Sequence, residues 1–256
     1  MTLRWRVIVD DEPRTGPRNM ALDHAMARCL GAGEGVVRFY SWAPHTISFG
    51  RNEPARGRYD PGVAEREGLG FVRRPTGGRA VLHAHEVTYC AVVPVRALGG
   101  LRPAYLRINE GLVEGLRALG APAQVSAEGS VVAPDAGPCF QVPAPGEVVL
   151  GGRKLVGSAQ VRLGGAILQH GSVILDGDQS RLSRVGGGQD DPTPPATLAG
   201  VLGPVPWATV AASLARSLEL ALGGAWEQGE YSPNELREAA GLERDPYGSD
   251  AWTWRR

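Results

Sequence analysis

The apolar positions of this chain change period repeatedly, and each change marks an element. Leu3–Val9 alternates apolar and charged residues, the two-residue period of a half-buried strand. Thr15-Gly16-Pro17 breaks the alternation. Leu22, Ala25, Met26, Cys29 and Leu30 then recur at helical spacing, which predicts a helix of about 13 residues with Cys29 as a small core residue. Val36–Trp42 and Thr46–Phe49 read as strands on either side of Pro44. A charged short helix is expected over Arg58–Gly68, followed by strands over Leu69–Arg73 and Ala80–Val93, interrupted by Thr76-Gly77-Gly78. Pro103–Leu119 carries Ile108, Leu112, Leu116 and Leu119 at helical spacing.

Beyond residue 120 the texture is different. Ser126–Pro138 is a loop of small residues, Gly and Pro. Gly146–Leu150, Arg153–Arg162 and Ala166–Leu175 follow as an antiparallel meander, because the Gly-Gly pairs at 151–152 and 164–165 supply the positive φ that tight hairpins require. Gly186–Ala196 reads as a linker, Trp207–Leu222 as an amphipathic helix, and Ser232–Leu242 as a second helix with a Ser-Pro start. Antiparallel strands mixed with irregularly placed helices predict an α+β fold rather than a regular parallel βαβ array. The expected organisation is a main domain over 1–184, a linker over 185–206 and a helical extension over 207–256 packed on the same domain.

Composition narrows the function classes. The 256 residues carry 27 basic and 27 acidic side chains, so the net charge is zero. Nucleic-acid and anionic-membrane surfaces need a cationic surplus, and neither partner is expected. No apolar run approaches the roughly 18 residues of a membrane span. The opening MTLRWRVIVDDEP turns acidic too early for a signal-peptide core, so a cytoplasmic protein is expected. Cys29, Cys90 and Cys139 are too widely spaced for a disulfide framework or a zinc pattern.

Of the 27 cationic side chains only Lys154 is lysine. A lysine that survives such an arginine bias points to chemistry that a planar, permanently charged guanidinium cannot do, although the count equally fits a lysine left by chance on a solvated face. Lys154 stands in Gly152-Arg153-Lys154-Leu155-Val156-Gly157-Ser158-Ala159-Gln160, where Gly157, Ser158 and Ala159 keep a strand narrow enough for a ligand or another backbone to approach. Arg73-Arg74-Pro75-Thr76-Gly77-Gly78 leads through Arg79-Ala80-Val81-Leu82 to His83. Its Gly77-Gly78 loop lets backbone N–H groups reach an oxyanion, a phosphate or a pantetheine chain, or is a plain β-turn. It has neither the Gly-Lys-Ser/Thr of a P-loop nor the following helix of a dinucleotide fingerprint. Leu168-Gln169-His170-Gly171-Ser172 offers a histidine that could move a proton, although lone strand histidines are more often structural. Cys139, between Pro138 and Phe140, stands 15 residues before Lys154, and a nearby cation would lower its pKa. His83, His85 and His170 form no spaced ligand set, so no metal is expected.

Together RRPTGGRAVLH, GRKLVGSAQ and LQHGSVIL, with the early helix GPRNMALDHAM, resemble the biotin/lipoate protein ligase superfamily from about residue 16 to 180. The ending YGSDAWTWRR is more weakly similar to one branch. The resemblance implies that family's catalytic-domain fold, with mixed, largely antiparallel sheets and flanking helices. Ligases of the family use ATP to make lipoyl-adenylate and usually carry Asn-Asp before the lysine motif. Here the segment reads GPCFQVPAPGEVVLGGRKLVGSA, which looks like the LipM-type octanoyltransferases and their amidotransferase relatives.

That likeness implies acyl transfer without ATP or any other cofactor. Cys139 would take the octanoyl group from octanoyl-acyl carrier protein as a thioester. It would then pass the group to a lysine of a lipoyl domain, such as that of the glycine-cleavage H protein or a dehydrogenase acyltransferase subunit. Lys154 would lower the thiol pKa or steady the oxyanion. Arg74, Gly77 and Gly78 would line the acyl-donor channel with His83 nearby, and His170 would shape the site. Ala84, where the family often has Asp, and His24, where an acidic residue is usual, depart from the pattern. An ATP-dependent lipoate–protein ligase, an amidotransferase using the same cysteine, and a lipoyl-domain-binding protein without chemistry are the alternatives. The roughly 50 residues after the linker are short for the accessory domain of many bacterial ligases.

Overall fold

The computed structural model describes residues 2–127, 145–187 and 194–256. Its centre is a sheet built from β1 (Arg4–Val9), β2 (Glu34–Tyr40), β6 (Glu86–Pro94), β7 (Gln124–Val125), β8 (Val148–Leu150), β9 (Arg153–Leu163), β10 (Ala166–Ile174) and β11 (Ala225–Gln228). The order is β11-β1-β2-β6-β10-β9-β8-β7, with β1 parallel to both neighbours and the remaining pairs antiparallel. A smaller sheet has β3 (Thr46–Phe49) between β4 (Gly70–Arg73) and β5 (Val81–His83). The α+β expectation therefore holds.

Alternation along the central strands divides the core. Val37, Phe39, Tyr89, Ala91 and Val93 face α3 (Leu101–Ala118) and α6 (Trp207–Leu222). Val36, Tyr40, Cys90 and Val92 face α1 (Gly16–Cys29) and α7 (Pro233–Leu242). Thr15 caps α1 by accepting from the Arg18 N–H, and Pro17 occupies its first turn, as the sequence breaks require. Ser232 and Glu235 form a reciprocal capping box on α7.

The single strand expected over Ala80–Val93 is two strands, β5 and β6, in different sheets, separated at Ala84-His85. Periodicity reports apolar faces and not which sheet receives them. Cys29 is half-buried rather than a core residue, because it lies in the last turn of α1. After the short helix α4 (Ser180–Val185), the interval 185–206 contains buried Ala196, whose N–H donates to the Lys154 carbonyl, and buried Leu198 ahead of the short helix α5 (Ala199–Leu202). Between β3 and β4 lies the short helix α2 (Pro61–Arg66), N-capped by Asp60. The last helix, α8 (Asp250–Thr253), brings Trp254 against Phe49 and Phe71 of the small sheet, with ring centroids 5.3 and 4.9 Å away.

α3 and α6 approach closely because α3 has glycine at 111 and 115. A Cβ at Gly115 would stand 2.5 Å from Ser217 Oγ and 3.1 Å from Leu214 Cα. Gly115→Leu is therefore expected to cost about 1–3 kcal/mol through overpacking. It should lower the urea midpoint without changing the m-value; an unchanged midpoint would contradict the packing.

Candidate active site

Between the two sheets lies a cavity with about 530 Å³ of empty space, counting its open mouth. Its floor comes from β9 and β10, where the register pairs Gly157 with Ser172 and Ala159 with His170. Directly opposed residues share a face, so these four side-chain positions point one way and the Ser158–Gly171 pair points the other. Ser158 Oγ accordingly meets Tyr89 OH at 2.8 Å on the α3 side, although Ser158 also lines the cavity. Met20, Tyr40, Trp42 and Val81 supply apolar wall.

Of the residues singled out in sequence, Arg74, Gly78, His83, Gly157, Ser158, Ala159 and His170 all line this space. Gly77 is next to it without lining it, and a Cβ there would meet nothing within 4 Å. Gly78 has φ 89°, and at Gly50 a Cβ would stand 1.8 Å from the Gly78 carbonyl oxygen, so both glycines are required where the two loops touch. The Arg74 guanidinium braces that loop. It donates to the carbonyls of Gly77 (2.9 Å), Arg79 (2.7 Å) and Ser48 (2.9 Å) and to Ser48 Oγ (2.9 Å). Arg73 is fully buried and donates to the carbonyls of Gly50 (2.6 Å), Glu53 (2.8 Å) and Thr253 (3.0 Å). These two guanidiniums organise backbone.

Lys154 is buried near the start of β9, its Nζ 2.7 Å from Glu147 Oε1. Glu147 lines the cavity and Lys154 stands behind it. Cys139 lies outside the described residues. Among the described residues no cluster of three His, Cys, Asp or Glu could hold a metal ion.

Both cavity histidines are gripped at both nitrogens. His83 Nδ1 meets Glu86 Oε1 at 2.7 Å and Nε2 meets Ser48 Oγ at 2.7 Å, with the Trp42 ring stacked 4.0 Å away. His170 Nδ1 meets Asp23 Oδ2 at 3.0 Å and Nε2 meets Thr76 Oγ1 at 2.7 Å. Asp23 is fixed by Arg38 Nη1 at 2.8 Å and Tyr40 OH at 2.9 Å, and Arg38 continues to Asp10 at 2.6 Å. Burial alone would push the Asp10 carboxyl up, but Arg38 and Arg14 outweigh it and hold it below its ordinary value. Burial holds the His170 imidazole below its ordinary value, and the Asp23 carboxylate offsets that only in part.

Sequence reasoning missed Asp23, Ser48, Glu86 and Glu147. Asp23 had a legible signal, a carboxylate inside the apolar stripe of α1. Glu86 follows His83 by three residues, but only the fold turns it back onto the ring.

His24, on α1, has its Nδ1 2.9 Å from Tyr247 OH, and burial followed by Arg28 lowers its pKa to about 4. Unfolded histidines titrate near 6.5. Below that pH the unfolded chain binds more protons than the folded one, so stability falls as pH drops from about 6.5 towards 4. The paired carboxylates add to the loss only near about pH 4. The urea midpoint should fall between about pH 7 and pH 5, and His24→Gln should reduce the fall without removing it, because the lowered His170 contributes in the same direction; a level midpoint in the parent chain would contradict it.

The lipoyl protein ligase A/B catalytic domain profile matches residues 15–204. An octanoyltransferase LipM of Symbiobacterium thermophilum is 38% identical over 275 aligned residues spanning 100% of both chains. One from Kyrpidia tusciae is 40% identical over 263 residues, covering 93% of this chain and 94% of its own. Among solved structures, lipoate-protein ligase A bound with ATP superposes with a TM-score of 0.83 at 22% identity, covering 99% of each chain. A putative lipoate protein ligase from T. acidophilum with bound lipoic acid gives 0.81 at 22% identity over 99% of this chain and 100% of its own. At that identity the structural likeness speaks for the fold.

Proposed function

The chain belongs to the lipoyl protein ligase A/B catalytic-domain family, and from that membership we propose that it is an octanoyltransferase of protein lipoylation. The observation that carries the reading is 38% identity along the whole length of an octanoyltransferase LipM. The apolar cavity, walled by Met20, Trp42 and Val81 with a floor of Gly157 and Ala159, suits a medium-length acyl chain.

The reaction runs in two halves. The Cys139 thiolate attacks the carbonyl carbon of octanoyl-acyl carrier protein; the new C–S bond forms as the bond to the carrier's thiol breaks, and that thiol leaves. A lipoyl-domain lysine amine then attacks octanoyl-Cys139, forming the amide C–N bond and releasing the Cys139 thiolate. The Lys154 ammonium, oriented by Glu147, favours the thiolate and the oxyanion of each tetrahedral intermediate. A covalent intermediate suits a donor and an acceptor that are both proteins and dock in turn. The H protein or a dehydrogenase acyltransferase subunit supplies the acceptor lysine, no ATP enters, and the reaction belongs to the cytoplasm. Among the described residues no helix is long and apolar enough to cross a membrane.

The test is to incubate the chain with octanoyl-acyl carrier protein and unmodified H protein, without ATP, and to weigh the acceptor. One octanoyl group on the acceptor lysine is expected. Modification only with free octanoate or lipoate plus ATP would make the protein a ligase. Transfer only from an already octanoylated lipoyl domain would make it an amidotransferase.

A further inference from the structure

Residues 247–255 take no part in the proposed chemistry, yet they join the packing behind both walls of the cavity. Trp252 packs on the apolar cluster that contains Met20, Tyr40 and Trp42, all three of which line the cavity. Trp254, on the other side of Thr253, packs instead on the cluster of Ile47, Phe49 and Leu82. Those three alternate along β3 and β5 with Ser48, Val81 and His83, which face the cavity, so Trp254 sits behind the opposite wall. Tyr247 adds a polar tie on the first side, its OH 2.9 Å from His24 Nδ1 on α1, the helix that supplies Met20.

Arg73 connects this segment to the cavity rim. Its Nε donates to the carbonyls of Trp252 (3.1 Å) and Thr253 (3.0 Å). Its Nη1 donates to those of Gly50 (2.6 Å) and Glu53 (2.8 Å). In return the Trp252 indole N–H donates to the Arg73 carbonyl at 2.8 Å. Gly50 is the residue pressed against Gly78, and Gly78 lines the cavity. One planar fork thus spans two segments, which a single ammonium on a flexible stem cannot do.

We propose that Arg73, Trp252 and Trp254 are positioning residues that fix the spacing of the two cavity walls, and with it the discrimination among acyl chains. The assignment rests on the octanoyl-transfer reading above. None of the three lines the cavity. They act through the Gly50–Gly78 contact and the small sheet on one side, and through the packing of α1 on the other. Walls held at a fixed distance reject an oversized chain by overlap, whereas walls free to part admit it.

The test is a competition on the full chain. Octanoyl- and decanoyl-acyl carrier protein are mixed with unmodified H protein, without ATP, and the masses of the modified acceptor give the ratio of the two kcat/KM values. The parent chain should favour octanoyl. Arg73→Lys should lower that preference by about 5-fold or more, because its single nitrogen cannot hold both pairs of carbonyls. Trp252→Phe keeps the ring, removes only the N–H to the Arg73 carbonyl, and should move the ratio the same way; it decides the matter if Arg73→Lys does not fold. A smaller folded fraction slows both donors equally, so a merely structural role leaves the ratio where it was. An unchanged ratio, or a parent that takes both chains equally, would overturn the positioning role. A parent that transfers neither chain overturns the octanoyl-transfer reading itself, before any variant is compared.

Discussion

Cys139→Ala is expected to abolish octanoyl transfer, lowering kcat/KM by at least about 10³-fold, because the replacement removes the atom proposed to carry the acyl group. The other two thiols cannot substitute for it. Cys90 is fully buried in the central sheet, and burial pushes its thiol well above the ordinary value. Cys29 ends α1, does not line the cavity, and is pushed up by burial and by Glu235 and Glu238. Steady-state transfer to a lipoyl domain gives the activity, and an unchanged urea midpoint shows that the loss is chemical. Substantial transfer by Cys139→Ala would remove the thioester from the mechanism.

Lys154→Met has the second-largest expected effect, and it combines two losses. The side chains of Lys154 and Glu147 are only 1% and 8% exposed, so removing the cation leaves a buried carboxylate without it. Breaking such a pair from one side costs about 3–5 kcal/mol. Transfer should fall by a further factor of about 10²–10³ per folded molecule, as expected when charge stabilisation at a reacting centre is removed. The double variant Lys154→Met/Glu147→Leu distinguishes the two losses, since it removes both charges. Urea midpoints should return towards the parent while activity stays low. Recovery of activity together with stability would make the pair structural only.

The sequence showed the elements more fully than the site's wiring. The Gly-Gly hairpins between β8, β9 and β10 were legible because two-residue turns demand positive φ, and Gly151, Gly152 and Gly164 all adopt it. β11 was not legible. Its four residues are mostly exposed and carry no alternation, and the strand exists because β1 offers an edge on which Trp226 stacks with Trp5 at 4.9 Å. The three central motifs named most of the cavity lining. What they could not show was that Arg73 and Arg74 hold backbone carbonyls, or that Ser158 turns its hydroxyl towards Tyr89. The partners that orient His170 and His83 were also hidden. Asp23 stands 147 residues before His170 and Ser48 stands 35 before His83, and only the packing of α1 and β3 brings them within hydrogen-bond reach.

The most direct measurement is the intact mass of the purified chain after mixing with octanoyl-acyl carrier protein, without ATP and before any acceptor is added. A gain of one octanoyl group, released by hydroxylamine and absent from Cys139→Ala, is the predicted result. A chain that gains no mass under these conditions, yet modifies a lipoyl domain once octanoate or lipoate and ATP are supplied, would contradict the account.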